Sequence, residues 1–230
     1  MKKRVLLSML GTAIIITSAC SSHSDKEQAS VPLEKQAKTE VSTEVPIIEG
    51  SFDVVERYET VEDLAKKATI VIEGKVVNED SFQSDSNTTF TKSEVIISRV
   101  IKGDVKTGDM VTFVELGGLT TRGEVTKEKT GLQLSKNEKA QPVEVVFNGV
   151  KTMKKGDKVL LFGEDAPNRK LLDQVYYFPV GMHEGKFMIH DDSASRKIDK
   201  VKNDHGDQVE VVTETFKKSE LESKVRSMSK

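Results

Sequence analysis

Between Thr69 and Val212 the chain is a succession of short runs rich in β-branched residues, punctuated by glycine-bearing turns. That punctuation constrains the fold more than any other feature, because runs of this length and composition suit half-buried strands and leave no room for long helices. Thr69–Val77 (TIVIEGKVV), Thr89–Ile101 (TFTKSEVIISRVI) and Met110–Leu116 (MVTFVEL) read as strands, and Gly74 marks a bulge in the first. Lys102-Gly103-Asp104, Thr107-Gly108-Asp109 and Lys155-Gly156-Asp157 read as turns. Asn148-Gly149 predicts a hairpin joining Val143–Phe147 to Val150–Met153. Lys158–Gly163 (KVLLFG) follows, and Gln174–Val180 (QVYYFPV) is expected to pair with Lys186–His190 (KFMIH) across the turn Gly181–Gly185. Gln208–Val212 is a last short strand, while Asn78–Thr88 reads as a polar loop and residues 119–141 as a long Lys/Glu-rich excursion.

Helical periodicity is confined to the two ends of this β region. Thr60 is placed to cap a helix through Ala68, with Glu62 and Asp63 in its first turn and Val61, Leu64, Ala65 and Ala68 on one face. Ser219-Glu220-Leu221-Glu222 has the form of a capping box opening a helix to about Met228, with Leu221, Val225 and Met228 aligned. The predicted fold class is therefore mostly β: a single antiparallel barrel or sandwich over residues 51–230, with one short helix before it and one after. A single cysteine allows no internal disulfide, so the domain depends on its apolar core.

The start of the chain is of another kind. Met1-Lys2-Lys3-Arg4 is basic, Val5 to Ile16 is apolar, and small residues lead to Cys20. This is the layout of a secretory signal, and its apolar run is too short for a spanning helix. It resembles the signal of bacterial lipoproteins, with Ser18-Ala19-Cys20 in the expected places and Thr17 where a larger aliphatic residue is usual. The resemblance implies cleavage after residue 19 and a covalent diacylglycerol and N-acyl (palmitate-type) lipid on Cys20, with no other cofactor. The alternative is an ordinary signal that leaves Cys20 as a free thiol. Residues 20–50 follow as a tether, since Ser21 to Ile47 is too poor in large apolar residues to order itself. Localisation at the extracytoplasmic face of a cell membrane is the corresponding expectation.

The runs ATIVIEGKVV, SEVIISRVIKGD, VTFVELGG, MKKGDKVLLFGE and YYFPVG resemble a set of uncharacterised bacterial secreted and lipid-anchored proteins. The first two are also similar to the netrin-like, tissue-inhibitor-of-metalloproteinase-like variant of the OB fold. The resemblance implies an OB-like barrel over roughly residues 60–190 and carries no activity with it. Inhibition of the netrin-like kind is not implied, because in that family a cysteine at the start of the domain holds the target's metal, whereas here the one cysteine lies before the tether.

No G-x-S-x-G, H-E-x-x-H or P-loop pattern occurs. Thirty-five Lys and Arg against 37 Asp and Glu make the chain mildly acidic, which argues against nucleic acid as a partner. Two surfaces remain. A nitrogen/oxygen metal site is conceivable from His183, His190, Asp191 and Asp192, against the plainer reading of solvated turn residues. A ligand face is expected on strands 69–77 and 89–101, where OB-like barrels bind by resemblance. Asn78, Glu79, Asp80, Gln83 and Asp85 rim it on one side, and Arg122, Lys127, Lys129 and Lys136 on the other. The leading expectation is a non-catalytic surface module for a protein, peptide or envelope polymer. The alternative is a metal-dependent or acid/base enzyme around the His/Asp group.

Overall fold

The computed structural model describes residues 45–51, 56–126, 133–166, 170–201 and 209–228; Cys20, Lys127, Lys129 and most of the expected tether lie outside them. The described chain is mostly β. It begins with β1 (Ile47–Gly50) and α1 (Val61–Lys67). Thr60 caps α1 as expected, its hydroxyl accepting from the Asp63 amide at 3.1 Å. The long antiparallel pair β2 (Ile70–Gln83) and β3 (Thr89–Lys102) comes next, followed by β4 (Met110–Leu116) and β5 (Gly118–Thr121). Two short helices, α2 (Arg122–Thr126) and α3 (Lys136–Lys139), lead to β6 (Pro142–Phe147), β7 (Lys158–Asp165), β8 (Tyr177–Pro179) and β9 (Lys186–His190). The chain closes with β10 (Ser193–Val201), β11 (Val209–Lys217) and α4 (Lys218–Met228).

One sheet has eight strands in the order β11-β10-β9-β7-β2-β3-β4-β8, and a smaller one has the order β1-β6-β5. β8 pairs with both neighbours it meets, parallel to β4 through Phe113 and Tyr177, and antiparallel to β7 from Gly163–Pro179 to Asp165–Tyr177. Residues 70–72 of β2 and 159–162 of β7 are covered on both faces, so their side chains are buried in both directions. Val71, Leu160 and Phe162 meet Val61, Leu64 and Ala65 of α1 and Leu221 and Val225 of α4. Ile70, Ile72, Val76, Val159 and Leu161 meet Val95, Ile97, Phe113 and Met153 on the other side. A third cluster joins Phe90, Val114 and Tyr176, with Phe178 edge-on to Tyr176. Tyr177 turns the opposite way onto Phe113, so alternation in the aromatic run holds and both of its faces pack.

Several sequence expectations change. β2 runs six residues beyond Val77 through the expected polar loop, because Asn78, Asp80 and Phe82 find cross-strand partners in Glu94, Lys92 and Phe90. The bulge at Gly74 is present as a register shift between Glu73 and Gly74. Asn148 and Gly149 both take positive φ (48° and 65°), as the expected tight turn requires, but only one bridge, Phe147–Val150, follows it. The segment from Lys151 to Met153 turns away to cap the core under β4 instead of continuing as a strand. The expected pairing of Gln174–Val180 with Lys186–His190 is also replaced: β9 lies between β7 and β10, and β8 is on β4 and β7. The folded part starts before residue 51, since β1 docks in parallel on β6 from Ile47–Glu144 to Gly50–Phe147. The S-x-x-E motif at Ser219 is inside α4 and not at its cap; Glu222 there pairs with Arg99 of β3. A complete capping box occurs instead at Ser135 and Glu138.

Candidate functional site

Among the described residues the buried ionisable side chains gather at the end of the core where β4, the turn 181–185, β9 and β10 meet the segment 147–153. Alternation along β4 sends Glu115 inward with Val111 and Phe113, and alternation along β9 sends Lys186 to the same side as Met188. The two form a buried ion pair at 2.5 Å, with Lys186 6% and Glu115 4% exposed at the side chain. Glu115 also accepts from the Met153 amide at 2.8 Å, and Lys186 donates to the Lys151 carbonyl at 2.6 Å. The pair thus pins the 147–153 segment against the sheet. A buried pair of this kind is held only where its remaining hydrogen-bonding capacity is met.

His183 lies beside this pair, in a turn whose backbone is constrained. Gly181 and Met182 both adopt positive φ (64° and 65°), and the His183 amide donates back to the Gly181 carbonyl at 2.7 Å. For Met182 that conformation costs energy, and the packed surroundings hold it in place. Nε2 of His183 is 3.5 Å from Oδ1 of Asp199, whose other oxygen accepts from Nδ2 of Asn148 at 3.1 Å. Burial lowers the His183 pKa to about 4, with Lys186 adding to the effect and Asp199 opposing it. The imidazole is accordingly neutral at neutral pH. Glu184 next to it is fully buried, and burial pushes its carboxyl pKa up although the Tyr58 amide donates to it at 2.6 Å.

A second buried charge completes the seam. The Arg196 guanidinium donates to Glu214 at 2.9 Å and to the carbonyls of Tyr58 and Glu59 at 3.0 and 2.5 Å, and it stacks over Phe187 at 5.4 Å. It ties the entry to α1 onto β10 and β11. A cavity of about 10 Å³ at the seam is bounded by Glu115, Leu116, Phe147, Val150, Met182, His183 and Lys186. That is room for one water at most. In this geometry the cluster fixes the 147–153 segment and the 181–185 turn.

The residues expected to hold a metal are dispersed. His183 is buried in the turn, whereas His190, Asp191 and Asp192 are exposed at the β9–β10 turn. Among the described residues no three His, Cys, Asp or Glu side chains come together as a metal-holding group. The grouping depended on pairing the 174–180 and 186–190 segments, which does not form.

The expected ligand face is partly assembled. Asn78 and Asp80 are exposed opposite Glu94 and Lys92, and Ile96 lies opposite Met110, with both apolar side chains exposed. Asp85 sits in the exposed turn at the tip of the β2–β3 pair. Glu79 points the other way and accepts from the Lys155 amide at 2.7 Å. Gln83 donates to Thr89 and to Thr120, each at 2.8 Å, which brings the 119–141 excursion to the tip. Arg122, half-buried, opens α2, and exposed Lys136 opens α3. Gly118 allows the close approach of β5, since a Cβ there would collide with the hydroxyls of Thr91 and Ser81.

Sequence reasoning missed Glu115, Lys186, Arg196 and Asp199. The signal was present only for Glu115, a carboxylate at a position whose alternation with Val111 and Phe113 places it inward. No family model matches this chain, and no curated protein matches it.

Proposed function

We propose that this is a lipid-anchored extracytoplasmic protein, attached to the membrane through Cys20, whose folded part is an OB-like barrel acting as a non-catalytic binding module. The observation that carries the anchoring is the layout from Met1 to Cys20, with the only cysteine of the chain at the position a lipobox needs. The barrel reading is supported by β8, which hydrogen-bonds to both β4 and β7 and so returns the run β7-β2-β3-β4-β8 upon itself. The binding reading is supported by the outer face of β2, β3 and β4, where Asn78, Asp80, Lys92 and Glu94 form a mixed-charge ladder beside exposed Ile96 and Met110. Such a face suits a protein, peptide or envelope polymer bound by weak polar contacts around an apolar centre.

Cell fractionation of Cys20→Ala tests the anchor: the variant is expected to leave the membrane fraction, and unchanged membrane retention refutes it. Capture from envelope extract by the full protein and by Met110→Glu tests the face. Loss of a captured species with unchanged melting temperature is the expected result, and unchanged capture removes this face from consideration.

A further inference from the structure

Two of the large apolar side chains left exposed, Ile47 and Leu119, are on the three-stranded sheet, and a third, Val45, lies two residues before β1 in the chain. Ile47 of β1 and Leu119 of β5 both oppose Glu144 of the central strand β6, one from each side. They therefore form one row about 10 Å across, at ~4.8 Å per strand. Ile47 and Leu119 are 49% and 50% exposed, while Val143 and Val145 on the other face of β6 are buried. Lys151 and Lys154 reach the same Glu144 at 3.6 and 3.0 Å, so its charge is more than balanced. Glu49, exposed on the same face of β1 as Ile47, sets a carboxylate beside the row. An apolar row bordered by lysines with long aliphatic stems is the composition of a surface that rests at a headgroup boundary.

We propose that this face docks on the anionic phospholipid surface to which the protein is attached. The proposal rests on the anchoring at Cys20. The place where the chain enters the fold favours a lipid surface over a protein partner. Only the 24 residues Ser21–Glu44 separate Cys20 from Val45, and the chain enters the domain as β1, within the row itself. A segment of that length reaches no further than about 80 Å even when extended. It holds the face at an effective concentration in the millimolar range next to the bilayer, so weak docking suffices.

Cys20 is the only native cysteine, and its thiol is consumed by the lipid, so Leu119→Cys offers one reactive thiol for an environment-sensitive dye. The full lipidated protein, reconstituted in phosphatidylglycerol vesicles, is expected to float with them. The dye at 119 is expected to shift to the blue and to be quenched by spin-labelled lipid, while the same dye at Thr213→Cys on β11 is not. Ile47→Cys provides the second reporter of the row. The double variant Lys151→Gln/Lys154→Gln is expected to lower the docked-to-free ratio roughly thirtyfold, given the strength of lysine attraction to an anionic leaflet. Flotation with a water-like signal at 119 and 47 overturns the docking and leaves the anchor standing. A shift on native envelope fragments but not on pure lipid also overturns it, because a protein then covers the row. Failure to float refutes the anchor, and the docking with it.

Discussion

Breaking the buried ion pair between Glu115 and Lys186 is expected to cost far more than removing it whole. In Lys186→Met the carboxylate of Glu115 keeps only the Met153 amide, and with both side chains no more than 6% exposed, water cannot compensate. Stranding one charge of a buried pair typically costs about 3–5 kcal/mol. In Glu115→Leu the ammonium of Lys186 keeps only the Lys151 carbonyl, and the Met153 amide loses its acceptor as well. That variant falls in the same range or slightly beyond it. In the double variant no charge is stranded. The remaining penalty is the Met153 amide, about 1–3 kcal/mol, since Lys151 is exposed and its carbonyl can turn to water. The double variant is therefore at least as stable as either single one, with a coupling energy of roughly 4 kcal/mol or more between the two sites. Urea unfolding of the four proteins, followed by far-UV circular dichroism, measures this directly. Additive losses would refute the argument, because they would mean that the two groups do not depend on each other in the folded state.

Acid should weaken the fold through His183. Its pKa falls from the ordinary 6.5 to about 4 on folding, so the unfolded chain takes up the proton first; stability is complete above pH 6.5 and is lost as the pH falls toward 4. The loss is at most roughly 3 kcal/mol at ~1.4 kcal/mol per pKa unit, and His183→Gln should flatten the slope of melting temperature between pH 6.5 and 4. Gly118→Ala is expected to destabilise by about 2–4 kcal/mol, because its Cβ would enter the Ser81 and Thr91 hydroxyls at φ 125°. Gly149→Val, at φ 65° with open space around it, should cost only about 1 kcal/mol in the same denaturation series. Excising residues 123–140 and closing the gap with Asn-Gly should change stability by less than about 1 kcal/mol. The Arg122 amide already donates to the Gln141 carbonyl at 2.9 Å, and neither α2 nor α3 buries a side chain. A melting temperature that collapses on this excision would show that the excursion contributes to the core.

What the amino-acid sequence determined alone is local. Thr60 and the apolar face of α1, the positive-φ turns at Asn148-Gly149 and Gly156, the bulge beside Gly74 and the alternation of Tyr176, Tyr177 and Phe178 all depend on neighbours within a few residues. Hydrogen-bonding distance along the chain suffices for each. The tertiary structure alone decided which strands pair and which charges are buried. Asn78 to Gln83 have the composition of a loop and become strand because β3 offers each of them a cross-strand partner, from Asn78–Glu94 to Gln83–Thr89. Ile47–Gly50, too short to hold a conformation by itself, is ordered by the free edge of β6. β10 carries Arg196, Lys197, Asp199 and Lys200 and reads as polar, yet Arg196 and Asp199 lie inside because Glu214, Phe187, His183 and Asn148 meet them there. A strand's partner is chosen by contacts far away in the chain, and a charge is tolerable in a core only when its counterpart arrives from another element. Neither condition leaves a mark on the residues nearby, which is why, apart from the inward alternation of Glu115, the buried seam with His183, Lys186 and Asp199 emerged only in three dimensions.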